Sequence, residues 1–223
     1  SIAQKMHAAD QGDFSTRQAH YLCEQAATLL GKGQTEEARS LLQRAIATAP
    51  HAARARIDLA AMQQASGDHA AAFSTLRTMG EATPAALPLA AARLAQAASS
   101  SQQPQAALDL LTSSYATSPS LDVLEAIVAL TASGTGDNEQ ARTWYIQHLE
   151  REPSLVAAAK WIAGEKLEHA QFHPQIQRAL DHAVKPLTRY RCAACGFEAK
   201  QHFWQCPGCQ TWDSYPARRV EEL

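Results

Sequence analysis

Prolines at positions 50, 84, 119 and 153 recur at intervals of 34, 35 and 34 residues, and the residues between them keep step. With the first two prolines in register, Ala26 aligns with Ala60, Gly33 with Gly67, Ala38 with Ala72 and Leu42 with Leu76. Ala107 and Ala141 continue the alanine series, while Leu111 and Tyr145 continue the leucine series. A period of this length means one supersecondary unit repeated, which constrains the fold more than any local propensity does.

Each period reads as helix, tight turn, helix, then a proline near the start of the next helix. The turns are "GKGQ", "ASGDH", "SSSQQP" and "GTGDNE". Small residues at Ala26, Ala60 and Ala95 let the two helices of a unit approach closely, and Ala38, Ala72, Ala107 and Ala141 do so from the second helix. Leu42, Leu76, Leu111 and Tyr145 fill the space that remains. A lone helical hairpin cannot bury its apolar face, so such units are expected to stack into a right-handed solenoid with a concave groove. The pattern resembles the tetratricopeptide repeat over residues 20–153. The match holds at the alanine, leucine and proline positions and fails where that family often carries Trp and Tyr, since this chain has Leu22, Arg56 and Ala98 there.

The expected division is a truncated preceding repeat and connector at 1–18, four repeats at 19–153, a closing helical pair at 154–184 and a separate module at 185–223. The chain begins with Ser1 and runs directly into "IAQKMHAAD", which reads as the end of a helix, so a missing N-terminal part is expected. In the closing pair, Trp161 and Ile162 are available to seal the last repeat.

Four of the five cysteines fall in the last module as Cys192-x2-Cys195-x10-Cys206-x2-Cys209. A two-residue gap lets both thiolates of a tight turn face one ion, and two such turns complete a tetrahedral set of four sulfurs. Zinc and a rubredoxin-type iron both suit that donor set, so spacing alone does not choose between them. Gly196 follows the first pair where a knuckle needs a permissive backbone, and Pro207 presets the second turn. Tyr190, Phe197, Phe203, Trp204 and Trp212 are the candidate core of this small segment. Two disulfides would require an oxidising compartment, for which the sequence shows no export signal. Three uses of such a module compete: an electron carrier, a nucleic-acid ribbon, and a structural clip shaping a protein-binding surface. The attached repeats favour the clip, and the basic stretches "TRYR" and "ARR" read as solvated surface.

"RYRCAACGF" (Arg189–Phe197), then "FWQCPGCQTW" (Phe203–Trp212), set behind such repeats, resembles the lipopolysaccharide assembly protein B family of Gram-negative bacteria. The resemblance is tight in the last module and weaker in the repeats. It implies an all-α, tetratricopeptide-type solenoid with a small C-terminal rubredoxin-like metal-binding module packed on the repeats. It implies Cys192, Cys195, Cys206 and Cys209 as ligands of one metal ion, iron being the family expectation and zinc also suitable. It further implies a non-catalytic adaptor that lowers lipopolysaccharide synthesis. The route would be proteolysis of the lipid A-committing deacetylase by the membrane AAA+ protease, with other inner-membrane lipopolysaccharide proteins as further partners. The family's membrane helix and first repeats have no counterpart in this sequence, which places the chain as a soluble piece acting at the cytoplasmic face of the inner membrane. A rubredoxin-type electron carrier with a repeat-built docking arm is the alternative.

Other features point to packing rather than chemistry. A net charge of −2 and a pI near 6.5 give the molecule no general attraction to nucleic acid or anionic lipid. No apolar run approaches the roughly 20 residues that span a bilayer. Cys23, beside Leu22 and Ala26, reads as a buried core thiol. His169 and His173 could share a helix face but lack the glutamate of a zinc-protease arrangement. "GTGDNE" at 134–139 reads as an inter-helix turn, not a phosphate loop. No nucleophile–base pair is apparent, so the chain is expected not to be an enzyme.

Overall fold

A computed structural model describes the backbone of residues 2–135, 138–165 and 170–223, with side chains from residue 14 onward except 133–135, 138 and 170. Among the described residues there are ten α-helices and one two-stranded sheet, distributed over two compact units that divide between Gln103 and Pro104.

The first unit holds α1 (Ile2–Gly31), α2 (Thr35–Thr48), α3 (Ala53–Ala65), α4 (His69–Ala82), a 3-10 turn at Pro84–Ala86, and α5 (Leu87–Ser100). Successive helices pack as antiparallel neighbours, and α3 also touches α1 and α5, so the first helix of each hairpin meets the first helix of the next. The repeat positions behave as their size requires. Ala26, Ala60, Ala38 and Ala72 are at most 1% exposed, and Leu42 and Leu76 fill the layer between them at 1% and 0%. The alanines bring the helices together; the leucines supply most of the buried apolar area.

The turns repeat as closely as the core does. Gly33 and Gly67 sit at φ +77° and +82°, and the residue after each donates to a carbonyl five positions back: Gln34 N–H to Leu29, and Asp68 N–H to Gln63. This left-handed closure satisfies orphan carbonyls at the helix end. The third turn lacks glycine but adopts the same geometry, with Gln102 at φ +58° and Gln103 N–H donating to the Ala98 carbonyl at 2.8 Å. The Asp68 carboxylate then caps α4 by accepting from Ala71 N–H.

The second unit holds α6 (Pro104–Thr117), α7 (Leu121–Thr135), α8 (Asn138–Arg151), α9 (Leu155–Ala163), a 3-10 turn at Ala170–Phe172, and α10 (His173–Val184). It continues with β1 (Tyr190–Arg191), β2 (Glu198–Ala199) and a final 3-10 turn at Val220–Glu222. Helices α6 to α10 pack consecutively. Ala107 and Leu111 are fully buried on α6, and Tyr145 fills the matching place on α8 at 8% exposure. A polar pair lies inside this core: Tyr115 and His148 Nδ1 are 2.6 Å apart, both nearly buried, with the Arg151 guanidinium 5.6 Å from the tyrosine ring. Burial holds the His148 imidazole below its ordinary pKa, which favours the neutral ring in this pair.

Trp161 on α9 is half-buried, consistent with packing. His173 opens α10 and places its ring nitrogen 3.1 Å from the Ile162 carbonyl, whereas His169 lies outside the described residues, as does part of the "GTGDNE" stretch. No described helix is long and apolar enough to cross a membrane.

Candidate metal centre and its attachment

The four-cysteine segment is one knuckle built twice, 14 residues apart. In the first, Cys192 N–H donates to the Phe197 carbonyl at 2.9 Å and Gly196 N–H donates back to the Cys192 carbonyl at 2.9 Å. In the second, Cys206 N–H donates to Thr211 at 2.9 Å and Gln210 N–H to Cys206 at 2.8 Å. The pairing of Arg191 with Glu198 at the base of the first has its counterpart in the bridge between Gln205 and Trp212. Each loop closes through one left-handed residue, Gly196 at φ +76° and Gln210 at φ +60°. Glycine adopts that conformation freely, while glutamine carries a Cβ that crowds the following carbonyl.

The knuckles face each other and bring all four sulfurs within 4.8 Å. Cys192 Sγ lies 3.8 Å from Cys209 Sγ, and Cys195 Sγ lies 3.7 Å from Cys206 Sγ. Ligands about 2.3 Å from a central ion define a tetrahedron with edges of about 3.8 Å, so these cross-knuckle distances fit a single tetrahedral ion. They are far too long for disulfides, and all the cysteines are free thiols. The group could therefore hold one metal ion.

Electrostatics point the same way. Against the burial that opposes it, the Ser214 hydroxyl and the backbone at Cys195 and Ala194 bring the Cys192 thiol down to about 6. Hydrogen bonds from Thr211 lower Cys209. Cys195 moves the other way, to about 12: a backbone bond at Phe197 opposes the rise, while burial and the neighbouring thiols drive it. Four acids this close cannot all ionise unless a cation compensates them. Gly208 N–H adds a contact of 3.4 Å to Cys206 Sγ.

Tyr190 and Tyr215 form the buried part of the module's small core, at 6% and 4% exposure. Tyr215 donates to the Phe197 carbonyl, and His202 is ringed by Tyr190, Trp204 and Tyr215. Phe197, expected inside, is 44% exposed and packs over Gly208. Cys23 is a core thiol of the first unit, 1% exposed, and burial pushes it up to about 12.

The segment after the module is where the structure departs most from the sequence expectation. "ARR" is not solvated surface. Arg219 makes a two-pronged pair with Asp122 on α7 (2.7 and 2.9 Å), donates to the Thr188 carbonyl at 2.8 Å, and lays its guanidinium 4.1 Å from the Tyr190 ring centroid. Arg218 donates to the Ser118 hydroxyl. The next two carboxylates cap two different helices. Glu222 accepts from Leu121 N–H, at the start of α7, at 2.8 Å. Glu221 accepts from Ser154 Oγ at 2.8 Å and from Leu155 and Val156 N–H at 2.6 and 3.2 Å, at the start of α9. Helix N-termini carry unpaired amides and partial positive charge, so each is a ready site for a carboxylate. No motif marks these roles. The nearest signal is that α9 begins without an acidic residue of its own.

Residues 190–215 match the rubredoxin metal binding domain, and residues 29–98 match the tetratricopeptide repeat. Lipopolysaccharide assembly protein B of Escherichia coli (strain K12) is 24% identical over 218 residues, covering 92% of this chain and 54% of that protein. The protein of the same name from Haemophilus influenzae is 22% identical, covering 96% of this chain and 55% of its own length. The chain thus spans about half the length of the curated relatives it matches. Among solved structures, the Podosopora anserina kinesin light chain nearly identical TPR-like repeats superpose with a TM-score of 0.50 at 19% identity, covering 77% of this chain and 98% of that one. That likeness concerns the fold alone. The resemblance to lipopolysaccharide assembly protein B accordingly runs through 92% of the chain, from tetratricopeptide repeats into a rubredoxin-type four-cysteine domain.

Proposed function

We propose that this chain is a non-catalytic adaptor in the control of lipopolysaccharide synthesis, its cysteine module acting as a metal-dependent clip. The observation that carries the reading is the length of the similarity to lipopolysaccharide assembly protein B, which takes in both the repeats and the module. Cys192, Cys195, Cys206 and Cys209 would hold one ion, iron by family expectation or zinc. Once bound, that ion compensates the thiolates and ties the two knuckles together. The chain's own residues do the rest. Arg219, Glu221 and Glu222 fasten the module to α7 and α9, giving partners one fixed surface rather than two loosely joined ones.

The partners in this reading are the membrane AAA+ protease and the deacetylase that commits to lipid A, brought together at the cytoplasmic face of the inner membrane. Affinity capture from a Gram-negative lysate tests it, with the chain run beside its Cys192→Ser/Cys195→Ser variant. Recovery of protease or deacetylase by the native chain only is expected. Equal recovery by both chains would remove the clip from the mechanism, and recovery by neither would count against the adaptor reading.

A further inference from the structure

A cleft of about 510 Å³ opens in the second unit between α7, α9 and the cysteine module. Five bases line it: Lys160 on α9, Lys185 after α10, Arg189 before β1, Lys200 after β2, and Arg219 in the final segment. Two acids, Asp122 and Glu125 of α7, line it with them, while Glu198 lies beside Arg189 and Glu221 and Glu222 end against its wall. This imbalance arises in a chain whose net charge is −2, and from five separate segments rather than one basic run.

Internal pairing leaves a surplus. Asp122 is taken by Arg219, and Glu125 by Lys160 at 3.0 Å. Arg189 reaches Glu198 only at 3.7 Å, and that carboxylate already accepts two closer bonds from Arg191 at 2.9 and 2.8 Å. Lys185 and Lys200 are exposed and have no side-chain partner among the described residues. Like charges gathered at a concave surface repel one another and concentrate positive potential there, an arrangement suited to an anion.

The same wall shows which anion it suits. Leu121 and Val156 line the cleft, and their amides already hold carboxylates of this chain's own final 3-10 turn, Glu222 and Glu221. The Leu121 and Val156 side chains are both buried, so a ligand at this wall would meet the lysine stems, whose methylenes a bare inorganic ion would leave unused.

We infer that this cleft binds a carboxylate-rich peptide segment of a partner protein, with Lys185, Arg189 and Lys200 as its charge-reading residues. The ligand's being a protein segment rests on the adaptor reading; the charge surplus does not. Purified metal-loaded chain titrated against fluorescein-labelled hexaglutamate, followed by anisotropy, tests it directly. Binding that weakens steeply with salt is expected. Lys185→Glu/Lys200→Glu should weaken it at least about ten-fold with metal content and helicity unchanged, whereas Lys32→Glu in the first unit should not.

Equal binding by the double variant would overturn the proposal, as would no binding by the native chain. Tighter, variant-sensitive binding of inorganic pyrophosphate would make this a phosphate site, and preferential retention on phosphatidylglycerol vesicles would make it a membrane contact; either overturns the peptide assignment. Partner capture undiminished by Lys185→Glu/Lys200→Glu would sink the cleft and leave the adaptor standing. Peptide binding without any partner capture would do the reverse.

Discussion

The helical repeats and the cysteine module meet the same requirement, a single packed arrangement, by opposite means. The repeats are redundant: Ala38/Leu42 and Ala72/Leu76 present the same small and large faces at each turn, and burial is spread along the chain. The module is not redundant. Its buried side chains are few, its four sulfurs lie within 4.8 Å of one another, and one short segment crosses to α7 and α9; in the proposed reading its order depends on an ion at those sulfurs and on that segment. Loss of one core side chain should therefore weaken the repeats by degrees, while loss of the ion or the fastening should affect the module sharply.

The largest expected effect follows from Cys192→Ser/Cys195→Ser. Structural metal sites supply apparent free energies of about 10–16 kcal/mol in small domains, more than this module's apolar core can replace. Emission from Trp204 and Trp212 should take on an unfolded character while far-UV helicity stays near native. A module that keeps its native emission would break the contrast. Leu76→Ala comes next: losing this fully buried leucine of α4 should cost about 2–5 kcal/mol in urea unfolding, with metal content unchanged.

Arg219→Met tests the fastening. Its pair with Asp122 is partly screened by solvent, and leaving that carboxylate only a long 3.5 Å bond from Tyr190 should cost about 1–3 kcal/mol. The readout is faster metal loss to a chelator, and a double-mutant cycle with Asp122→Asn should show coupling between the two sites.

The Tyr115–His148 pair gives the repeats of the second unit a pH signature. The folded imidazole titrates below its ordinary value of 6.5, so the unfolded chain binds the proton first as pH falls. Stability from this group is complete above about 6.5 and is lost on acidification through and below that value. Urea midpoints measured between pH 7.5 and 5.5 should fall less in His148→Gln than in the native chain; parallel curves would contradict the assignment. The smallest effects should be gains. Gln102→Gly and Gln210→Gly relieve left-handed backbone in a helical turn and in the second knuckle, each adding up to about 1 kcal/mol.

These residues also mark what the sequence discloses and what it conceals. The alanine and leucine series and the cysteine spacing are legible because each side chain's role is set by neighbours at a fixed offset. Ala38 and Cys195 can each be read from residues a few positions or one period away. Gln102 and Gln210 were hidden because the tertiary frame imposes on them the conformation that Gly33, Gly67 and Gly196 adopt freely. The Arg219–Asp122 pair joins residues 97 apart, and Glu222 caps a helix 101 residues earlier. Nothing periodic connects such partners, and in sequence a short run of mixed charge looks like solvated surface.

Amide hydrogen exchange on the native chain and on Cys192→Ser/Cys195→Ser tests the central claim most directly. The account predicts lost protection across residues 190–215, together with faster exchange at Leu121, Leu155 and Val156, whose N–H groups the final segment caps. The interiors of α1 to α5 should be unchanged. Native protection at Leu121, Leu155 and Val156 in the variant would show that the final segment stays in place without the metal centre, and would contradict the account.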